Sequence, residues 1–345
     1  MNRWIHIRFG RLGASFLTER RTIGTIGALL ILSVILLIAS TALGSTRIHP
    51  WSVVQAVFGY GDSGAGLIVR QLRLPRVVIG FLVGIALAAS GAILQGIIRN
   101  PLASPDIMGV TGGSSAAAVL LLLVFPKVSI QWLPVAALLG AALITFLIYA
   151  LAWKRGVTPM RLVLVGVGIG AAMAAITTML IVTSPIYLTA RSLIWMTGTV
   201  YGSNWKNVLT LLPWVLVFLP LAWALGRSVN ALQLGDETAT GVGNRVQRSR
   251  FLLLVICVAL AGAGVAVGGA IGFVGLIAPH IARRLVGPAF GGNLIVSSLV
   301  GGIMVAAADL VARTAFPPLD LPVGIFTSLI GAPFFIYLLY KHRNA

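Results

Sequence analysis

The sequence predicts an all-α polytopic membrane protein of about ten transmembrane helices. Of its 345 residues, 58% are hydrophobic and only 9% are charged, whereas soluble domains carry about 25% charged residues. Apolar runs of roughly 20 residues, the length that crosses a bilayer core, recur along the chain. The 40 glycines fit the same class, because membrane helices pack closely through small residues.

Ten apolar runs are predicted to form the spans. In order, they are 23–43, 76–95, 107–125, 132–153, 161–183, 207–225, 251–270, 271–285, 294–312 and 321–340. The first run exceeds the apolar region of a signal peptide, about 7 to 15 residues, so we expect it to be a transmembrane helix. The eighth is short and contains Pro279, which makes its boundary with the seventh difficult to place.

The net charge of +18 comes from basic residues scattered between the apolar runs, which indicates membrane topology and lipid contact, not nucleic-acid binding. Placing the N-terminus in the cytoplasm puts 17 of the 25 lysines and arginines inside and 8 outside. Residues 1–22 then form a cytoplasmic segment, 23–345 form one transmembrane domain, and both termini are cytoplasmic. The basic residues of the N-terminal segment are Arg3, Arg8, Arg11, Arg20 and Arg21.

The most polar part of the chain is the segment 232–248, LQLGDETATGVGNRVQR, which this topology places in the cytoplasm. Asp236 and Glu237 near its start favour a helix dipole, and the glycines limit the helix to a short one. A short amphipathic helix there would bind a partner or lie on the membrane. A plain polar connector is the other interpretation.

Six motifs occur in order along nearly the whole chain. They are RQLRLPR (70–76), ASGAILQGIIRNPLASPDIMGVTGG (89–113), LGDETATGVG (234–243), GGAIGFVGLIAPHIARRLVG (268–287), ADLVAR (308–313) and LPVGIFTSLIGAPFF (321–335). Any one of them is weak, but together they closely resemble the FecCD-type permease subunits of ABC importers for ferric siderophores, haem and vitamin B12.

This resemblance implies a type II ABC importer permease fold in the cytoplasmic membrane of a bacterium. It implies three protein partners: a second permease subunit (the same chain or a sibling), an ABC ATPase dimer, and an extracytoplasmic substrate-binding protein. The chain has no G-x-x-x-x-G-K-[ST] motif, and none of its four lysines follows a glycine. We therefore expect no enzymatic activity and no cofactor in this chain, with ATP and Mg used by the partner ATPase.

The resemblance also assigns site residues. The residues expected to couple to the ATPase are Leu234, Gly235, Asp236, Glu237, Ala239, Gly241 and Gly243. Those expected to dock the binding protein are Arg73, Arg76 and Arg313, with Arg70 nearby. Thr158, Pro159 and Met160, in the connection before the fifth span, are expected to form the inner gate.

Several of these residues have plainer interpretations. The outer arginines could be ordinary snorkelling side chains, and the gate residues could be a tight turn. Asp309 shares a helix face with Arg313 and is expected to position it. His280 is expected to be a packing or hydrogen-bonding residue, not a metal ligand, and Cys257 a small buried hydrophobe.

Two places depart from the family pattern. Asp320 stands where relatives usually have a glutamate, which shortens the reach of the carboxylate and affects the expected docking detail. The segment GPAFGGN, 287–293, replaces an Asp-His-Arg group, which affects an inner polar contact.

We therefore predict a permease subunit that translocates an iron–siderophore complex by alternating access, with haem or cobalamin as alternative cargoes. The rival class is an ion-driven secondary transporter, which needs ionisable groups near the middle of the membrane. Only Asp309 and His280 come close, and both lie towards helix ends. An intramembrane enzyme is disfavoured because no carboxylate pair, nucleophile with a base, or histidine cluster is present.

Overall fold

The computed structural model describes residues 4–9, 14–44, 46–60, 63–125, 128–316 and 319–341. The only strands in these ranges are β1 (Trp4–Phe9) and β2 (Ala14–Glu19), an antiparallel pair that the sequence analysis did not predict. Arg3, Arg11, Lys127 and Arg343, which entered the charge count, lie outside the described residues.

The rest of the described chain is built from helices. In order they are α1 (Arg20–Ala42), α2 (Pro50–Val57), α3 (Ser63–Leu67), α4 (Leu74–Ile98), α5 (Val110–Val124), α6 (Leu133–Ala152), α7 (Pro159–Val182), α8 (Ile186–Met196), α9 (Trp205–Ala224), α10 (Gly226–Gln233), α11 (Asp236–Gly241), α12 (Val246–Gly268), α13 (Val274–Val286), α14 (Phe290–Thr314) and α15 (Val323–Lys341).

Each of the ten predicted spans coincides with one of these helices, namely α1, α4–α7, α9 and α12–α15. Eight of the described helices are long and apolar enough to cross a membrane. The other two, α5 and α13, have 15 and 13 residues. A π-helical segment, Ile68–Arg73, leads directly into α4. The all-α polytopic fold is confirmed, with short helices added between the spans.

The predicted boundary between the seventh and eighth spans, at residues 270 and 271, is wrong by a few residues. Helix α12 ends at Gly268 because Gly269 adopts a left-handed backbone, with φ at +70°. The backbone N–H of Thr199 donates to the Gly268 carbonyl at 2.8 Å, so a distant segment caps this end. Helix α13 starts only after Phe273, which also has a positive φ.

Helix α4 is the central element of the bundle. It runs antiparallel to α14 and α12 and parallel to α13, with Arg76 opposite Asp309 and Gln95 opposite Arg283. We call the end that holds Arg73, Arg76 and Arg313 the arginine end, and the end that holds α10 and α11 the connector end.

Two glycines let neighbouring backbones approach α4 more closely than any side chain would allow. A Cβ added to Gly84 would lie 2.1 Å from the carbonyl oxygen of Gly301 in α14. A Cβ added to Gly91 would lie 1.9 Å from the carbonyl oxygen of Gly275 in α13. Both contacts are to backbone, which cannot swing aside, so α4, α13 and α14 form one tightly packed unit.

We expect Gly91→Ala to destabilise the folded protein, because the added methyl group forces α4 and α13 apart. Overpacking of this kind costs about 1–3 kcal/mol. The measurement is the Tm of the purified protein in detergent. Gly168→Ala is the matched control, because a Cβ at this α7 position meets nothing within 4 Å; equal Tm values for the two variants would contradict the packing argument.

Candidate functional site

The polar segment at the connector end folds as two short helices, α10 and α11, separated by a sharp turn. Gly235 has φ at +109° and starts α11, while Gly243, with φ at +83°, follows its end. Asp236 and Glu237 lie in the first turn of α11, where they favour the helix dipole. The predicted short helix is therefore present.

The exposed face of α11 is flanked by apolar side chains. Leu234 and Val242 are each 67% exposed, and Glu237 is exposed between them. Ala239 faces the other way and is fully buried. An apolar pair beside a polar helix, outside every membrane-length helix, is typical of a protein contact surface.

Asp236 faces the body of the bundle. Arg250, in the first turns of α12, donates from Nη2 to both of its carboxylate oxygens, at 2.9 and 3.0 Å. Arg99, which follows α4 in a left-handed conformation, lies 3.8 Å from the same carboxylate. Asp236 therefore links α11 to α12 and to the end of α4, while Glu237 faces outwards.

The connection between α6 and α7, residues 153–158, lies against the same part of α12. Arg250 also donates from Nη1 to the carbonyl oxygen of Val157. Gln247 accepts a hydrogen bond from the Val157 N–H at 3.0 Å and donates to its carbonyl at 3.3 Å. One turn of α12 thus binds the connection on one side and, through Arg250, α11 on the other.

The three predicted gate residues lie at the end of this connection and the start of α7. Thr158 is half-buried, Pro159 is buried at the start of α7, and Met160 is exposed. They line a cleft of 510 Å³ together with Arg99 and other residues of the α4–α5 connection. The gate candidates and the coupling candidates therefore lie at the same end of the bundle.

At the arginine end, Arg76 binds two carboxylates at once. Its Nε and Nη2 donate to Asp309, with the shortest contact at 2.7 Å, and its Nη1 and Nη2 donate to the two oxygens of Asp320, both at 2.7 Å. The guanidinium also lies 5.5 Å from the ring centre of Tyr201. Asp309 is only 1% exposed, whereas 27% of the Asp320 side chain is exposed.

The other two predicted docking arginines are bound to the end of α1 and the chain that follows it. Arg313 donates to the carbonyl of Leu43 at 2.9 Å and to the hydroxyl and carbonyl of Ser40. Its Nε also lies 3.5 Å from Asp309, as predicted for the two residues on one helix face. Arg73 is buried and donates to three carbonyls, those of Thr41, Ala42 and Thr46.

The sequence analysis treated these arginines as groups open to a partner, and in the described structure they are largely satisfied within the chain. The carbonyl oxygens accept hydrogen bonds from each guanidinium, and they would repel a carboxylate placed in the same position. Charge reversal at Arg73 or Arg313 would place a carboxylate against these carbonyl oxygens, so both arginines are tied to the fold. Arg70, by contrast, is exposed.

Sequence reasoning missed Arg250 and Gln247 as site residues. Arg250 was counted only as a topology signal, because a basic residue at the start of an apolar run is what the positive-inside rule predicts. No periodicity distinguishes it from Arg245 and Arg248, which are exposed. His280 accepts a hydrogen bond from Arg284 at 3.1 Å and packs edge-on against Phe334, in agreement with a structural role.

Comparison with known proteins gives consistent matches over most of the chain. The profile of the FecCD transport family matches residues 30–341. The achromobactin transport system permease protein CbrC of Dickeya dadantii is 50% identical over 324 residues, which cover 94% of this chain and 93% of CbrC. The relative named 'Probable siderophore transport system permease protein YfhA', of Bacillus subtilis, is 44% identical over 345 residues, which cover 98% of this chain and 99% of YfhA.

A solved structure agrees with these matches. A chain described as belonging to a metal-chelate type ABC transporter in an inward-facing conformation superposes with a TM-score of 0.84 at 30% identity. The superposition covers 92% of this chain and 99% of that chain. Both the fold and the sequence thus lead to one assignment: the chain belongs to the FecCD transport family.

Proposed function

We propose that this chain is the membrane-spanning subunit of an ABC importer that carries a ferric siderophore across the cytoplasmic membrane of a bacterium. The membership of the FecCD transport family and the identity to siderophore permeases support the transport class and the cargo. In this proposal the connector end, including 232–248, faces the cytoplasm, because that topology places most lysines and arginines inside.

The observation that carries the ATPase contact is the exposure of Leu234 and Val242 on either side of α11. An ATPase dimer would cover these side chains. Its hydrolysis of ATP, with Mg as cofactor, would supply the energy, because this chain has no P-loop of its own. Gly235, Gly241 and Gly243 set the length and angle of α11, and Ala239 anchors it from beneath. In this proposal, some of the coupling residues contact the ATPase directly, and the others support the shape of α11.

A second permease subunit and membrane lipid would cover the apolar faces that this chain leaves exposed. Helices α7 and α15 are long enough to cross a membrane, but most of their apolar residues are not buried within the chain. We propose that the cargo passes between two such subunits. Movement of Thr158, Pro159 and Met160 at the start of α7 would then open or close the inner side of the passage.

At the arginine end, we propose that a substrate-binding protein docks through acidic side chains on Arg76, with Arg73 and Arg313 holding that surface in shape. The Arg76 side chain is 12% exposed, and the outer edge of its guanidinium is occupied by the partly exposed Asp320. A partner carboxylate would compete with Asp320 for this edge, whereas the buried Asp309 would keep Arg76 oriented.

The central prediction concerns the energy source. The chain is reconstituted in proteoliposomes with its cognate ATPase and binding protein, and uptake of radiolabelled ferric achromobactin is measured beside haem and cobalamin. We expect uptake of the ferric siderophore to require ATP. Uptake that follows a proton gradient without the ATPase would reject the proposal in favour of a secondary transporter, and uptake of haem or cobalamin alone would change the cargo.

A second prediction concerns ATPase attachment. Glu237→Lys reverses the charge at the centre of the exposed α11 face, so we expect the affinity for the ATPase to fall about tenfold, which is about 1.4 kcal/mol. The measurement is ATPase retention on the immobilised permease. Glu19→Lys makes the same charge change at the same end of the bundle, near the start of α1. Equal losses in the two variants would count against α11 as the contact.

A third prediction concerns docking. Asp320→Asn removes the carboxylate that competes for the outer edge of Arg76, so we expect the binding protein to dock about fivefold more tightly, which is about 1 kcal/mol. Docking is measured by biolayer interferometry on the permease in nanodiscs. Asp106→Asn changes the net charge equally at the opposite end and serves as the control. Unchanged docking for Asp320→Asn would limit Arg76 to an internal role.

A further inference from the structure

We propose that Arg250 is a positioning residue that transmits displacement of α11 to the connection 153–158 and hence to the start of α7. This inference rests on the proposed function, because it assumes that an ATPase moves α11. The residues involved, Asp236, Arg250, Gln247 and Val157, are called the relay below.

Arg250 joins two separate segments with one buried group. Its side chain is 0% exposed, and its two terminal nitrogens have different partners: Nη2 binds the carboxylate of Asp236, and Nη1 binds the carbonyl of Val157. A buried guanidinium is costly unless its charge is paired with an opposite charge. Separating α11 from α12 would remove the carboxylate, so the two are expected to move together.

Gln247 makes the second attachment, one turn earlier on α12. Its side-chain amide pairs with both the N–H and the carbonyl of Val157, as a neighbouring strand would. Val157 itself is fully buried. The preceding Gly156 has φ at +113°, and a Cβ there would lie 2.8 Å from the Gln247 amide nitrogen. The connection therefore approaches α12 at a point where glycine leaves room for the amide.

The connection is itself rigid enough to pass a displacement on. Arg161, in the first turn of α7, donates from Nη1 to the carbonyls of Ala152, Lys154 and Gly156, at 3.1 to 3.2 Å. The Lys154 N–H also donates to the Gly156 carbonyl at 3.1 Å. These bonds tie the end of α6, the connection and the start of α7 into one body. A shift of Val157 is thus expected to shift the neighbouring Pro159 and Met160.

Asp236 also lies near the end of α4, which is the fixed part of the bundle. Arg99, 3.8 Å away and partly exposed, follows α4, which is held by close backbone contacts to α13 and α14. Arg250 binds the same carboxylate more closely, at 2.9 Å. A movement of α11 would change the balance between these two cations, since the fully buried Arg250 depends on Asp236 for its charge pairing and the partly exposed Arg99 can be solvated instead. The relay would therefore follow α11, and α4 would stay in place.

The test separates transmission from simple bracing by measuring transport per ATP. Arg250→Lys retains the positive charge towards Asp236 but lacks the two-pronged guanidinium that reaches Val157 at the same time. In proteoliposomes with the cognate ATPase and binding protein, we expect the radiolabelled ferric achromobactin imported per ATP hydrolysed to fall about fivefold or more, the range of typical coupling energies. ATPase retention is expected to stay at the wild-type level.

A second variant keeps the test decisive if Arg250→Lys does not fold. Gln247→Ala removes the two hydrogen bonds between Gln247 and Val157 and leaves the Arg250–Asp236 ion pair intact. We expect the same fall in transport per ATP. Arg248→Lys, at an exposed position of the same helical turn, is the matched control and is expected to keep the wild-type ratio.

Two results would overturn the relay, and they differ from each other. In the first, the wild-type chain transports with ATP and the variants import as much chelate per ATP hydrolysed as the wild type, whether or not both rates fall. That result rejects the relay alone. If the wild-type chain neither retains the ATPase nor imports the chelate with ATP, the proposed function fails and the relay fails with it.

Discussion

A charge inside an apolar bundle has to be paired or hydrogen-bonded, and partners within the chain meet this requirement at both ends of the molecule. At the arginine end, the buried Asp309 lies between Arg76 and Arg313. At the connector end, the buried Arg250 is neutralised by Asp236. The Arg76–Asp309 pair joins α4 to α14, which are distant in sequence, whereas the Arg250–Asp236 pair joins the consecutive helices α12 and α11. Each of these two pairs therefore holds two helix ends together as well as compensating charge.

Between these ends, the bundle is held by backbone contact. The approach of α4 to α13 and α14 at Gly91 and Gly84 leaves no room for side-chain rearrangement. Helix α7, in contrast, has little of its surface buried within the chain. A transporter that alternates between two openings needs a fixed part and a part that moves against it. The backbone contacts support α4, α13 and α14 as the fixed part, and in the proposed mechanism the start of α7 is the part that moves.

The two ends differ in what they leave for a partner. The connector end exposes two apolar side chains, Leu234 and Val242, beside a short polar helix. The arginine end also exposes apolar and aromatic side chains, among them Phe58, Tyr60 and Tyr201, and adds one edge of an ion-pair network at Asp320. An exposed ion pair favours fast and specific association with a charged partner. In the proposed assembly, that edge suits a binding protein that docks and dissociates.

The fold class, the ten helical runs and the polar segment at α11 could be predicted from the sequence, because hydrophobic length and glycine punctuation are local properties. The sequence also paired Asp309 with Arg313, since four residues on a helix are enough to place them on one face. The site was predicted less completely. Only the tertiary structure shows that Arg73 and Arg313 point into the chain. It also shows that Arg250 joins α11 to Val157. The partners of these side chains are backbone carbonyls and a carboxylate that packing brings together. Every residue has a carbonyl, so the sequence does not indicate which ones accept these hydrogen bonds.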